Sequence, residues 1–266
     1  MDRHESGQIT HDAAEVYEDF FVSALFQQWA PVVTDAASIQ AGQRVLDVAC
    51  GTGVLARTVD GRVGPTGSVV GIDINDGMLA VARRKAPQID WQRGRAEALP
   101  LPDARFDAVV SQFGLMFFED RRAALCEMMR VLRRGGHLAL AVWASLVDSP
   151  GYATLTNLLE SLFGEHAAQA LRAPFVLGDL GPLRRLLSES GLGDARIVTM
   201  SGIARFPSIA SWLHTDIRGW TLSDVLDDEQ FGRLLIEAER GLQPFTGSDG
   251  AVTFSAPAHI VTAVKA

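Results

Sequence analysis

Carboxylates and glycines at the ends of predicted strands are the residues of this sequence most suited to chemistry. Asp47 lies in an apolar run that ends at a turn, and Gly51 and Gly53 form that turn. Because glycine lacks a Cβ, the backbone of the turn can bend sharply and approach a ligand closely. The helix predicted to begin at Val54 would direct its first N–H groups at the same ligand. The pattern predicts a binding site at the carboxyl end of a strand in an open α/β sheet.

A further carboxylate, Asp73, ends the next predicted strand, which begins at Ser68. A carboxylate at this place can accept hydrogen bonds from both ribose hydroxyls of a bound nucleoside. A role for Asp73 as cap of the following helix is the weaker interpretation, because Asp76 is placed to be that N-cap. We therefore expect the ligand to contain a nucleoside.

The stretch Asp47-Val-Ala-Cys-Gly-Thr-Gly53 closely resembles the first motif of class I methyltransferases that use S-adenosylmethionine. Its surroundings look most like the small-molecule subgroup, methyltransferase domain type 11, that includes the quinone and menaquinone methyltransferases. The alternative is a tight turn without a ligand. The resemblance implies S-adenosylmethionine as cofactor, bound by Asp47, Ala49, Cys50, Gly51, Thr52, Gly53, Asp73, Ile74, Met78, Gly94, Arg95, Ala96, Glu97, Ser111 and Gln112.

The segment Gly94-Arg-Ala-Glu97 resembles the part of the family that lies beside adenine, where Gly-Asp-Ala-Glu is common. Arg95 stands where an aspartate usually accepts from the adenine amino group, and arginine has only donors. Either the backbone around Ala96 recognises adenine alone, or the guanidinium stacks on the base. Met78 is placed to pack on the adenine face, and an ordinary core methionine is an equally good interpretation.

Methyl transfer from a sulfonium requires few catalytic groups, because the donor is already activated. The protein mainly aligns the acceptor, and alignment alone can lower a barrier by about 7–11 kcal/mol. A phenol, enol or amine acceptor can also require a base, and histidine titrates near neutral pH. His214, which lies beside Trp212 in the predicted cap, is the candidate catalytic base, and His166 is the second candidate. A purely structural role for these histidines is the alternative.

We expect the acceptor to contact Tyr17, Phe113, Met116 and Trp212. Tyr17 belongs to a segment whose apolar side chains repeat at helical spacing, which predicts a helix interrupted by Pro31. In the resembling family such a helix often covers the cofactor as a lid. The alternative interpretation is that the helix only packs at the domain edge. For the aromatic run that includes Phe113, the alternative interpretation is that it belongs to an ordinary hydrophobic core. A hydrophobic small molecule is favoured over a protein or RNA as acceptor.

Strand and helix signals alternate from residue 44 to residue 145, which predicts a parallel sheet with right-handed crossovers. The predicted strands are 44–49, 68–73, 89–92, 106–112 and 137–143, and the predicted helices are 54–63, 76–85 and 119–134. The glycine pair at 135–136 is expected to close the last helix. Beyond residue 143 we predict helices at 152–163, 179–190, 208–219 and 227–241, with strands at 195–203 and 259–264.

The resemblance implies a Rossmann-like α/β fold, with a seven-stranded, mostly parallel sheet and helices on both faces. The last two predicted strands would complete this sheet, and the helices around them would form a cap on the acceptor side. The predicted organisation is an N-terminal helical lid over 1–41, a cofactor-binding core over 42–145, and helical cap segments with the final strands over 146–266.

Composition narrows the classes of function. The chain of 266 residues is 47% hydrophobic, which suits a large core, and no apolar run reaches the length of a membrane-spanning helix. The net charge of −8 disfavours a nucleic-acid partner. Two cysteines are too few for a zinc cluster or a disulfide framework, so no metal is expected. We predict a cytoplasmic protein, and the sequence does not indicate an oligomeric state.

Two alternatives to a methyltransferase remain at this point. Gly51-Thr-Gly53-Val-Leu-Ala56 also satisfies Gly-x-Gly-x-x-Ala, with Asp73 at a spacing typical of an NAD(P)-dependent Rossmann oxidoreductase. Asp47 argues against this, because it would repel a pyrophosphate but suits the ammonium of S-adenosylmethionine. A non-catalytic S-adenosylmethionine-binding protein is the other alternative. We predict an S-adenosylmethionine-dependent methyltransferase that acts on a hydrophobic small molecule by in-line transfer.

Overall fold

A mixed β-sheet is the framework of this protein in a computed structural model that describes residues 11–221 and 226–266. The strands are β1 (Arg44–Val48), β2 (Ser68–Asp73), β3 (Asp90–Arg93), β4 (Phe106–Gln112), β5 (Leu132–Trp143), β6 (Arg196–Met200), β7 (Ile203–Phe206), β8 (Val252–Ser255) and β9 (Ala258–Val264). Seven of them form one sheet in the order β3-β2-β1-β4-β5-β9-β6, in which β9 runs antiparallel to both neighbours. The predicted seven-stranded, mostly parallel Rossmann-like sheet is confirmed.

Helices connect these strands and build the cap. They are α1 (His11–Val16), α2 (Trp29–Ala36), α3 (Val54–Val63), α4 (Asp76–Lys85), α5 (Arg121–Val131), α6 (Pro150–Phe163), α7 (Glu165–Arg172), α8 (Leu180–Glu189), α9 (Ile209–Leu213) and α10 (Asp228–Gly241). Two π-helical segments, Tyr17–Phe26 and His214–Thr221, follow α1 and α9. The sequence did not predict α7, nor the separate two-stranded sheet that β7 forms with β8. Within the described residues, no helix is long and apolar enough to cross a membrane.

The central position of β1 explains where the predicted site residues meet. Val45, Leu46 and Val48 are fully buried, as expected for a strand covered on both faces. β1 pairs in parallel with β2 on one side and with β4 on the other. The carboxyl ends of these three strands therefore share one edge of the sheet, where open α/β folds bind ligands.

The glycine pair Gly135-Gly136 does not close a helix, which corrects the prediction. α5 ends at Val131, and both glycines lie in β5. The pairing of β4 with β5 shifts between Phe106 and Ala108, so the glycines form a bulge there. Gly135 has a φ of +70°, and a Cβ on Gly136 would lie 2.9 Å from the carbonyl oxygen of Asp107. Glycine at these positions therefore permits the bulge.

The N-terminal segment is helical, as predicted, but it breaks before Pro31. The break lies between the first π-helical segment and α2, and Pro31 lies in the first turn of α2, where proline is tolerated. The buried Glu18 carboxylate anchors the segment to the sheet helices, through ion pairs with Arg57 at 2.8 Å and Lys85 at 3.1 Å. The first ten residues of the predicted lid lie outside the described residues. The division of the chain at 1–41, 42–145 and 146–266 stays a prediction.

The cap has an aromatic core of its own. Trp212 is fully buried and stacks on Phe206, with ring centroids 4.8 Å apart. Tyr152 from α6 and Phe254 from β8 meet the Trp212 ring at 5.2 and 5.0 Å. α6, α9 and the β7–β8 pair therefore form one packed unit beside the main sheet.

Candidate active site

A cavity of about 540 Å³ lies at the carboxyl ends of β1, β2 and β4. This volume suits a small-molecule ligand. The predicted cofactor residues that line it are Ala49, Gly51, Asp73, Ile74, Met78, Gly94, Arg95, Ala96, Glu97 and Gln112, and the predicted acceptor residues that line it are Tyr17 and Phe113. Among the described residues, those predicted for the site but absent from the cavity wall are Asp47, Cys50, Thr52, Gly53, Ser111, Met116, Trp212 and His214.

The Asp73 carboxylate is held at the cavity wall by two backbone amides. Its Oδ2 atom accepts a hydrogen bond from the Gly51 N–H and its Oδ1 atom from the Asn75 N–H, both at 2.8 Å. Burial raises the pKa of Asp73, and the backbone hydrogen bonds oppose that rise. Each carboxylate oxygen can accept a further bond, so the side chain has capacity for a hydroxyl pair of a ligand.

The N-cap of α4 is Asn75, which corrects the prediction of Asp76. The Asn75 Oδ1 atom accepts a hydrogen bond of 3.1 Å from the Met78 N–H. Asp76 lies inside the first turn, where its exposed carboxylate approaches Arg93 at 3.5 Å. Met78 lines the cavity and packs beside Tyr17, so it offers an apolar surface on the same wall as Asp73.

The two motif glycines have different physical roles. Gly51 has a φ of +54° and lines the cavity, and a Cβ there would meet no atom of the described residues within 4 Å. Gly53 has a φ of +89°, but a Cβ there would lie 2.4 Å from the Trp91 ring. Gly51 therefore opens the backbone toward a ligand, whereas Gly53 makes room for Trp91 behind the turn. Cys50, which directly precedes Gly51, is buried, and its N–H donates to the Ile72 carbonyl oxygen at 3.0 Å.

Several buried hydrogen-bond acceptors lie in β1, at the end of β4 and in the turn after β1. Asp47 is 1% exposed, and neither of its carboxylate oxygens has a hydrogen bond of good geometry within the described part of the chain. Burial raises the pKa of Asp47 well above its usual range; the Ala56 backbone N–H opposes this, and Asp73 adds to it. The Oε1 atom of Gln112 and the hydroxyls of Ser111 and Thr52 are likewise buried without a partner among the described residues.

These groups fit S-adenosylmethionine. An ammonium group carries only donors and would suit the acceptors of Asp47 and Gln112. Asp73 can accept from the ribose, and Met78 can pack against an apolar ring face. The buried carboxylates of Asp47 and Asp73 would instead repel a pyrophosphate.

Arg95 is engaged by two carboxylates at the rim of the cavity. Its guanidinium pairs with Glu119 at 2.7 Å and with Glu97 at 3.7 Å. The Glu119 N–H also donates to Glu97 at 3.1 Å, which closes a small network. Both proposed modes of adenine recognition, through the backbone around Ala96 or by stacking of Arg95, stay predictions.

A continuous aromatic wall leads from the N-terminal segment to the cap. Phe113 and Trp143 are its centre, stacked with ring centroids 3.8 Å apart. Tyr17 forms one end of the wall. Burial raises the pKa of Tyr17, and the negative charge of Asp73 adds to this rise. Successive rings of the wall are 3.8 to 6.5 Å apart, in the order Tyr17, Phe26, Phe113, Trp143, Phe175 and Tyr152.

Sequence reasoning missed three polar residues at the cap end of this wall. Asp216, Tyr152 and Ser149 line the cavity and are buried. The Asp216 carboxylate accepts hydrogen bonds from the Trp212 Nε1–H and the Tyr152 hydroxyl. Burial raises the pKa of Asp216 to about 7, and these two hydrogen bonds oppose the rise. The four-residue spacing from Trp212 to Asp216 is the sequence signal that could have identified this carboxylate, because it places both side chains on one helical face.

The structure contradicts the placement of His214 in the acceptor site. His214 is exposed, and its ring lies against Phe231 with centroids 6.1 Å apart. Trp212, Leu213, Thr215 and Asp216 of the same stretch are buried, and His214 alone among these five residues is exposed. His166 is also exposed. Met116 and Trp212 are buried behind the cavity wall rather than in it.

Comparison with known proteins gives a family match over part of the chain. Residues 46–140 match the family described as a methyltransferase domain. The ubiquinone/menaquinone biosynthesis C-methyltransferase UbiE of Cronobacter sakazakii is 36% identical over 152 residues, which are 54% of this chain and 61% of that protein. The chain therefore spans about three fifths of the length of this curated relative.

Solved structures share the fold over most of the chain. The YcgJ protein of Bacillus subtilis superposes with a TM-score of 0.60 at 20% identity, over 90% of this chain and 98% of that one. Phosphoethanolamine N-methyltransferase 2 of Haemonchus contortus, solved in complex with S-adenosyl-L-methionine, has a TM-score of 0.62 at 16% identity, over 96% of this chain and 57% of that one. At such identities the likeness shows the fold.

Proposed function

We propose that this chain, which carries a methyltransferase domain over residues 46–140, transfers the methyl group of S-adenosylmethionine to a hydrophobic small molecule. The arrangement of Asp73 carries this proposal. Backbone amides of the first motif turn and of the α4 start hold its carboxylate at the wall of a largely aromatic cavity. One cavity thereby combines a nucleoside-binding group with an apolar surface for a second molecule.

The chain's own residues bind and orient the cofactor. Asp73 accepts from the ribose hydroxyls, and the buried oxygens of Asp47 and Gln112 accept from the ammonium group. Met78 packs against the adenine, and Gly51 allows the backbone to lie close to the ligand. When bound, the cofactor supplies an electrophilic methyl group on a positively charged sulfur.

The aromatic wall aligns the acceptor and excludes water. Flat rings such as those of Phe113 and Trp143 favour an acceptor that is itself flat and apolar. The relative from Cronobacter sakazakii is a ubiquinone/menaquinone biosynthesis C-methyltransferase, and by likeness we assign an aromatic acceptor of the reduced-quinone class. Alignment of this kind is worth about 7–11 kcal/mol in favourable cases. A cytoplasmic location stays a prediction.

The alternatives lack comparable support. A dinucleotide would bring its pyrophosphate toward the acidic side chains of Asp47 and Asp73. A protein that binds S-adenosylmethionine without turnover would not require the cavity to continue past the cofactor residues to Phe175 and Tyr152.

Calorimetry followed by a label-transfer assay tests the proposed function. S-adenosylmethionine and S-adenosylhomocysteine are expected to bind, whereas NAD is expected not to bind. Transfer of label from [methyl-¹⁴C]S-adenosylmethionine is then measured with a panel of reduced quinones and phenols. Binding of NAD in place of S-adenosylmethionine would establish the oxidoreductase alternative, and binding without label transfer to any acceptor would establish the non-catalytic one.

A further inference from the structure

The cap end of the cavity holds a carboxylate that the cofactor does not require. Asp216 is 7% exposed and lies in the second π-helical segment, among aromatic side chains. Burial of a carboxylate in such surroundings is unfavourable unless hydrogen bonds compensate it. The Trp212 Nε1–H and the Tyr152 hydroxyl supply two such bonds. An ionised carboxylate can accept about four, so Asp216 has capacity for a donor from a ligand.

Ser149 supplies a second, independent observation at the same place. Its hydroxyl is fully buried, and within the described residues it has no hydrogen-bond partner. Ser149 is the N-cap position of α6, three residues before Tyr152, and both line the cavity with Asp216. Tyr152 of α6 and Asp216 of the second π-helical segment therefore meet through a hydrogen bond, and Ser149 lines the same largely apolar cavity. A buried, unpartnered hydroxyl in the same cavity as a buried carboxylate is typical of a site that a polar ligand completes.

We propose that Asp216, together with Tyr152 and Ser149, binds a hydroxyl group of the methyl acceptor, so that the acceptor is a hydroxylated aromatic molecule. This inference rests on the proposed function and adds the substrate class. The acceptor hydroxyl donates to Asp216, and Ser149 forms a hydrogen bond with an oxygen of the same molecule. The aromatic wall contacts its ring. A site built to bind a hydroxyl rejects analogues that lack it, because its own polar groups then stay unpaired.

Two probes of matched size test the site on the unmodified protein. The affinities of 1-naphthol and 1-methylnaphthalene are measured by calorimetry at pH 8, with the protein saturated with S-adenosylhomocysteine. A hydrogen bond to a charged group should make 1-naphthol bind roughly tenfold more tightly. Equal affinities, or tighter binding of 1-methylnaphthalene, would overturn the proposal.

Variants then test whether the preference for 1-naphthol over 1-methylnaphthalene depends on Asp216. Asp216→Asn removes the charge and should reduce the preference for 1-naphthol to about threefold or less, with the affinity for S-adenosylhomocysteine unchanged. Asp194→Asn is the matched control, because Asp194 is an exposed aspartate in the turn before β6, and it should keep the parental preference. An Asp216→Asn protein that also keeps the parental preference would exclude Asp216 from acceptor binding.

A second variant covers the case in which Asp216→Asn does not fold. Ser149→Ala removes a hydroxyl without a protein partner and should weaken 1-naphthol binding about threefold; parental affinity would then count against the site. Failure of the proposed function is separable, because it appears as absent binding of S-adenosylhomocysteine. In that case the two probes are compared on the protein alone, and the preference for 1-naphthol again decides the proposal.

Discussion

The Asp73 carboxylate accepts a hydrogen bond of 2.8 Å from the Gly51 N–H, so the end of β2 holds the turn that follows β1. Its other oxygen holds the start of α4 through Asn75. One side chain thereby supports two loops that line the strand end of the cavity. A substitution of Asp73 should affect both local structure and ligand binding.

Asp73→Asn should weaken binding of S-adenosylhomocysteine by about 1.5–3 kcal/mol, because the amide removes a charged acceptor and presents a donor to one of the two N–H groups. Calorimetry measures the loss. Asp76→Asn is the control, since Asp76 is a nearby exposed aspartate that pairs with Arg93 at 3.5 Å. The affinity of this variant should match that of the parent. Parental affinity in Asp73→Asn would refute the ribose assignment.

Gly53→Ala should destabilise the fold more than Gly51→Ala. Both alanines would adopt a positive φ, which costs on the order of 1 kcal/mol, but only the alanine at 53 also displaces the Trp91 ring, at about 1–3 kcal/mol more. Urea unfolding of the two variants measures the difference. Gly51→Ala should in turn have the larger effect on S-adenosylhomocysteine binding, because Gly51 lines the cavity. Equal losses of stability would contradict the role assigned to Trp91.

The raised pKa of Asp216 should give the free energy of unfolding a pH dependence of known sign. Between about pH 4 and pH 7 the folded protein retains a proton on Asp216 that the unfolded chain has released. Stability from this group is therefore complete at low pH and is lost as the pH rises through about 7. Asp216→Asn lacks this component.

The measurement is urea unfolding of the parent and Asp216→Asn at pH 5 and pH 8. The stability of the parent relative to the variant should fall by about 2–3 kcal/mol between these values. Comparison with the variant cancels the contributions of the other buried carboxylates, Asp47 and Asp73. A difference that does not change with pH would show that Asp216 titrates in the folded protein as it does in the unfolded chain.

The central strands and first helices could be predicted from local sequence. β2, β4 and α3 have the predicted bounds, because a buried parallel strand or an amphipathic helix leaves a periodic signal in its own residues. The start of β5 could not be predicted in this way. Gly135-Gly136 is typical of a helix end, and only the pairing of β5 with β4 shows that it is a bulge.

The residues at the strand end of the cavity could be predicted better than those at its cap end. Asp73, Gly51 and Gln112 line the strand end because carboxyl ends of neighbouring parallel strands meet at one edge, whatever the details of packing. The cap end depends on which way a cap segment faces. Trp212 packs against the cap core, Asp216 is buried on the same side and His214 is exposed. The four-residue spacing indicates that Trp212 and Asp216 share a face, but it does not indicate that this face is the inner one.

The position of β9 has a consequence for how the chain folds. β9 lies between β5 and β6 but follows both in sequence, so the two strands cannot be joined until residues 258–264 have been synthesised. Before then, β5 presents a row of unpaired N–H and C=O groups, which can template pairing with other chains. Pairing over such a long sequence separation is also slow. The edge of β5 is therefore open to such pairing throughout the interval between the synthesis of β5 and that of β9.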